Sequence, residues 1–199
     1  MNAPLDVSIR WRSGPKYGRA MIVWINGTFG VGKTTTANAL CERSSWRLFD
    51  PEHVGFLLAG NLRDIEFDDF QDLPPWRELV PAVADAIYRF TDPEAMVAVQ
   101  TVLVADYWEE LVEGFSDRGL PVFHVVLHCD DEELRRRITT DGVETQALEW
   151  RLDHIAKYRT ARSWLEDVAD LVLDITDLEP DAAAQQIAHA VTARLAQRT

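Results

Sequence analysis

Lysine is nearly missing from this chain. Lys16, Lys33 and Lys157 are the only three among 199 residues, and arginine carries the remaining positive charge. Cysteine is as scarce. Cys41 and Cys129 lie far apart with no C-x-x-C spacing, which excludes a disulfide framework and a cysteine zinc site. They read as free thiols in a reducing cytoplasm. No apolar run approaches the roughly 20 residues of a membrane-spanning helix. The formal net charge is −13, so nucleic acid and anionic membrane surfaces are disfavoured as partners. The five histidines show no metal-ligand spacing, and His124 and His128, in a strand-like run, read as structural. Residues 1–20 contain Arg10, Arg12, Lys16 and Arg19 but no apolar segment. They read as a loosely ordered extension rather than a signal peptide, ahead of a single domain over 21–199.

Against that background, one lysine stands in an informative place. Residues 27–34 read Gly-Thr-Phe-Gly-Val-Gly-Lys-Thr, an unbroken match to the phosphate-loop pattern G-x-x-x-x-G-K-[ST]. Gly27, Gly30 and Gly32 let the backbone curl so that its N–H groups, those of Thr28, Phe29, Val31 and Thr35 included, point at phosphate oxygens. The pattern assigns Lys33 to the β- and γ-phosphates and Thr34 to Mg²⁺. The apolar run 20–26 precedes it as a buried strand, and a helix without Gly or Pro follows from Thr34 to Arg43. Strand, glycine loop and helix is the order the chemistry needs, because the helix adds its positive end to the anion site.

Strands and helices alternate along the rest of the chain. Strands are expected at 46–50, 95–102, 122–128 and 170–175. Helices are expected from Pro51, over 76–90, 107–117, 131–139, 146–166 and 181–196. Continuous apolar strands separated by helices predict an α/β fold, a parallel sheet covered on both faces.

Asp50 closes the second strand, at the edge where open α/β sheets bind ligands. As Asp50-Pro51 it also suits a helix cap, and the two roles are compatible. The acidic, aromatic stretch 61–77 reads as part of an acceptor pocket. Gln71 and Arg77 offer donors there, and Phe70 and Trp76 offer flat walls for a sugar or a base. Asp106 is a candidate for water-mediated Mg²⁺ binding.

At this level of detail the chain resembles the small P-loop kinases, among them shikimate kinases, chloramphenicol phosphotransferase and nucleotide kinases. More narrowly it resembles the tunicamycin-resistance protein family. The residues that carry the match are Trp24 to Thr34, Asp50 to Phe56, Asp68 to Gln71 with Pro74, Trp76 and Arg77, and Leu134 to Ile138. The resemblance implies a five-stranded P-loop fold of order 2-3-1-4-5, with a helical lid over about 138–151. It implies Asp50 as the group that takes the acceptor's proton and His53 as its neighbour in the acceptor site. It places Arg137 against the nucleotide, with Arg151 a second clamp on the transferring phosphate and Arg136 in reserve. Thr176-Asp177 falls where related kinases contact the base.

The leading expectation is a Mg²⁺-dependent transfer of the γ-phosphate of ATP or GTP to a hydroxyl of a small molecule. The resemblance points to a nucleoside antibiotic of the tunicamycin or capuramycin type, and a monomer or homodimer acting in the cytoplasm. A protein that binds such a drug without modifying it would use the same residues. A kinase of an unrelated metabolite stays open too. A regulatory GTPase is weaker, because no N-K-x-D or D-x-x-G motif is present.

Overall fold

The structure, a computed structural model, describes residues 21–140 and 148–197. The expected extension at 1–20 and residues 141–147 of the expected lid lie outside the described residues. Five strands form one sheet: β1 (Ile22–Asn26), β2 (Arg47–Phe49), β3 (Met96–Val99), β4 (Val122–His128) and β5 (Leu171–Asp174). Their order is β2-β3-β1-β4-β5, all pairs parallel, with Ile22 beside both Met96 and Val122. Seven α-helices accompany them among the described residues: α1 (Lys33–Arg43), α2 (Glu52–Asn61), α3 (Pro74–Thr91), α4 (Ala105–Ser116), α5 (Asp131–Thr140), α6 (Leu148–Val168) and α7 (Pro180–Ala196).

β1 explains the architecture. All five of its residues are buried, and successive side chains enter opposite cores. Val23 and Ile25 join Leu40 of α1 and Ile187 and Val191 of α7. Ile22 and Trp24 join Trp76 and Val80 of α3 and Leu111 and Phe115 of α4. A strand apolar on both faces needs helices on both, hence the three layers. Tyr158 and Leu165 of α6 extend the packing over Val126.

Two of the boundaries that differ from expectation have physical reasons in the structure. α3 begins at Pro74, because prolines at the first turn lack only N–H groups that a helix leaves unpaired there. β3 stops at Val99 rather than at residue 102. The next residues leave the sheet to bond the phosphate loop, Thr101 Oγ1 donating to the Gly27 carbonyl at 2.9 Å.

Trp76 is fully buried, and its indole N–H donates to the Pro51 carbonyl at 3.0 Å, joining α3 to the start of α2. Trp76→Ala leaves a large cavity and an orphaned carbonyl, an expected loss of about 3–5 kcal/mol read by urea unfolding. A loss below about 1 kcal/mol would contradict this packing role.

Candidate active site

The phosphate loop is held from beneath by Asn26, the last residue of β1. Its Oδ1 accepts from the N–H groups of Gly27 (2.8 Å) and Val102 (3.0 Å). Its Nδ2 donates to the Val102 carbonyl at 3.0 Å and lies 3.3 Å from His124 Nε2. That nitrogen therefore accepts, which requires the ring to be neutral. Burial pushes the His124 pKa down to about 4, and the ring stacks on Trp108 with centroids 4.0 Å apart. His124 is structural, as its strand-like setting implies.

Above Asn26 the loop turns through Gly30 (φ 77°) and Gly32 (φ 102°), backbone regions that residues with a Cβ rarely enter. Gly32 is the N-cap of α1, whose first turn carries no acidic side chain, so the positive helix end stays available to an anion. A Cβ on Gly30 would lie 2.5 Å from Ile138 Cγ1. Gly30→Ala therefore has to distort the cradle, and nucleotide affinity should fall by about tenfold or more in a fluorescent-nucleotide titration. Unchanged affinity would remove this loop from the binding site.

A cavity of about 430 Å³ opens over the loop. Phe29, Gly30, Gly32, Lys33, Thr34 and Thr35 of the phosphate loop line it together with Asp50, Glu52 and Arg151. Lys33 Nζ donates to the carbonyls of Gly27 (3.0 Å) and Thr28 (2.9 Å) and sits 5.2 Å from the Phe29 ring centre. Burial lowers its pKa to about 7; Glu52 pulls it up, Arg151 pushes it down and Asp69 pulls it up. An ammonium so poorly solvated gains strongly from an arriving phosphate.

Asp50 follows β2 directly, and its Oδ1 accepts from the Glu52 N–H at 2.9 Å while the residue lines the cavity. The capping bond therefore leaves Asp50 at the cavity. Arg151 is buried in the first turns of α6 and reaches the loop from beyond the lid segment. Phe29 locks that helix in place, with ring centres 4.5 Å from Trp150 and 5.1 Å from His154. Thr28 is fully buried and bonds the His154 carbonyl at 3.5 Å.

A second cavity of about 540 Å³ lies on the other side of the loop. It is bounded by Val31, Thr35, Arg136, Arg137, Thr176 and Asp177. The structure thus brings Arg137 and Asp177 together beside the phosphate loop, although 40 residues separate them in the sequence.

The side chains of the expected acceptor-site block are engaged with their neighbours. Trp76 is core, as described. Arg77 is buried and spent on structure: Nε donates to Glu110 Oε2 at 2.7 Å, Nη1 to the Gln71 carbonyl, and the guanidinium stacks 3.9 Å from the Tyr107 ring centre. Gln71 is buried, donating to Asp69 Oδ2 at 2.9 Å and accepting from the Leu103 N–H at 3.1 Å. Phe70 packs so closely on Gly55 that a Cβ there would lie 2.3 Å away. None of the four lines the cavity, and His53 is exposed on α2 away from its lining. Asp106 is exposed in the first turn of α4, and Gln100 and Thr101 follow β3 at the cavity instead.

Sequence reasoning missed Glu52, Gln100 and Thr101. Glu52 had a visible signal, since it lies two residues past Asp50 in the first turn of the helix that Asp50 caps.

A family model described as an AAA domain matches residues 22–140. The chain belongs to this AAA domain family. The match runs from β1 through α5 and so includes the phosphate loop and Arg137. No curated protein matches. Among solved structures the chain is similar to the tunicamycin resistance protein of Deinococcus radiodurans. The two are 26% identical with a TM-score of 0.65, over 87% of this chain and 96% of that one. A sugar kinase from Janibacter sp. HTCC2649 is 19% identical with a TM-score of 0.63, over 90% and 99% of the two chains. The APS kinase of Mycobacterium tuberculosis, in complex with AMPPNP and APS, is 19% identical with a TM-score of 0.58, over 87% and 98%. The resemblance read from the sequence agrees with these neighbours, and the five-stranded order 2-3-1-4-5 is the one observed. No helix among the described residues is long and apolar enough to cross a membrane.

Proposed function

We propose that this protein is a small-molecule kinase that moves the γ-phosphoryl group of a purine nucleoside triphosphate to a hydroxyl of its acceptor. One observation carries the reading. A single cavity is lined by the phosphate loop, with Lys33 and Thr34, and by Asp50. Phosphoryl transfer needs positioning and charge neutralisation on one side, and a group that orients the attacking hydroxyl on the other. The helix end, Lys33 and Arg151 meet the first need. Asp50 meets the second, accepting the hydroxyl proton as the new P–O bond forms and the bond from the γ-phosphorus to the β–γ bridging oxygen breaks, releasing the nucleoside diphosphate.

The residues present also fit Mg²⁺. Thr34 is exposed at the cavity wall, and its hydroxyl is an oxygen ligand of the kind this hard cation takes. Bound with the nucleotide, Mg²⁺ would neutralise phosphate charge.

The likeness to the tunicamycin resistance protein supports a nucleoside antibiotic as acceptor. The acidic wall formed by Asp50 and Glu52 favours a neutral or cationic acceptor over an anionic one.

Mass spectrometry on reactions with Mg-ATP or Mg-GTP and a panel of nucleoside antibiotics and sugars tests the proposal. A gain of one phosphoryl group on any member supports transfer and names the acceptor class. Tight, nucleotide-dependent binding without mass gain would replace transfer by sequestration.

A further inference from the structure

Arg137 is the arginine that the kinase reading sends to the nucleotide, yet its hydrogen bonds go elsewhere. Nη1 donates to the Val31 carbonyl of the phosphate loop at 3.2 Å. Nη2 donates to the carbonyls of Ile175 (3.0 Å) and Thr176 (3.1 Å), which follow β5. Nε donates to Glu133 Oε1 at 2.7 Å, one turn back on α5. A guanidinium has five N–H donors in a planar fork. Here that fork spans two backbone segments that meet nowhere along the chain, and Glu133 fixes its orientation.

These segments are the two walls of the second cavity. Val31 belongs to the cradle for phosphate, and Thr176-Asp177 belongs to the wall on the far side. Backbone N–H groups run the other way on the same wall: Thr176 N–H donates to Asp174 Oδ1 at 2.9 Å, and Asp130 N–H to Thr176 Oγ1 at 3.0 Å. The β5–α7 loop is therefore pinned on both sides, and Arg137 is the pin that refers it to the phosphate loop. Arg136 has a different character. It is exposed, and both of its bonds go to Glu133 on its own helix at 2.6 Å.

We infer that Arg137 is a positioning residue that sets the distance between the phosphate cradle and the base-side loop, rather than a charge that contacts phosphate. The inference rests on the kinase reading, since it takes the second cavity as the place of the nucleoside. A ligand that occupies both walls depends on the pin, because its two ends must be received at a fixed separation. A ligand confined to the cradle does not.

The test compares two probes on the full chain, by calorimetric titration. One is Mg-ATP or Mg-GTP, whichever the wild type binds more tightly; the other is inorganic tripolyphosphate with Mg²⁺. In Arg137→Ala, nucleotide affinity should fall by about ten- to a hundredfold, while tripolyphosphate affinity should change by less than about threefold. Arg137→Lys keeps the charge but has no planar fork, so it should lose nucleotide affinity in the same way and serve as a check on folding. Equal loss of both probes in Arg137→Ala, largely restored by Arg137→Lys, would mean direct phosphate contact and would overturn the inference. Wild-type protein that bound tripolyphosphate but neither nucleotide would overturn the kinase reading, and this inference with it.

Discussion

Lys33→Ala is expected to abolish phosphoryl transfer, by about 10³-fold or more in kcat/KM, and to change the pH dependence of folding at the same time. The loss of rate follows from position. Lys33 is the single cation that both lines the cavity and belongs to the phosphate loop, and its ammonium donates to two loop carbonyls. Phosphate competes easily with such partners. The folding effect follows from its pKa of about 7 against an ordinary 10.5, caused chiefly by burial. Between these values the unfolded chain holds a proton that the folded one has released, so stability rises with pH across the window of about 7 to 10. Below pH 7 the penalty for the buried ammonium is present in full. Removing the side chain should flatten this dependence, which thermal melts at pH 6.5, 8 and 9.5 would read, the pH values being chosen about the cited pKa. A variant with the wild-type slope would show that Lys33 is not desolvated. One that retained more than about a tenth of the activity would exclude Lys33 as the phosphate clamp. The same pKa predicts that nucleotide binding near neutral pH takes up a proton, because the phosphates draw Lys33 back to its charged form.

Asp50→Asn is expected to lower turnover by about 10²- to 10⁴-fold and to leave nucleotide affinity within about threefold. Asparagine is the informative replacement. The Asp50 carboxylate accepts the Glu52 N–H at the start of α2, and an amide oxygen caps a helix about as well as a carboxylate does. The substitution keeps the cap and removes the base. Alanine would remove both and confuse a local unravelling of α2 with lost chemistry. Turnover and melting temperature should therefore separate: Asn reduces the first and spares the second. Wild-type turnover in Asp50→Asn would reassign the proton acceptor, with Glu52 on the same wall as the next candidate.

Much of this site was readable along the chain because the phosphate loop is local. Gly27 to Thr35 span one loop and the start of α1, and the glycines at 30 and 32 are required by their own backbone angles. Asp50 was readable for a similar reason, since the end of a strand and the start of a helix sit on adjacent residues. The side chains of the expected acceptor block are held by their neighbours. Trp76, Arg77, Gln71 and Phe70 have the chemistry of a binding pocket, but the same chemistry also seals a packed seam. Trp76 has zero exposure, and Arg77 has Glu110 and Tyr107 as partners. Residue type states what a side chain can do, and burial decides which use it is put to.

The same division holds for the whole protein. The sequence alone determined the layered α/β architecture, because strands apolar on both faces must be covered twice, and it determined the phosphate cradle, because eight consecutive residues suffice to build one. The tertiary structure alone decided which distant groups share a cavity. Arg151 reaches Lys33 across more than a hundred residues, and Arg137 joins Val31 to Ile175. Those meetings depend on how helices α5 and α6 pack against each other and how α6 lies on β4, and no spacing along the chain records the angle at which a helix packs.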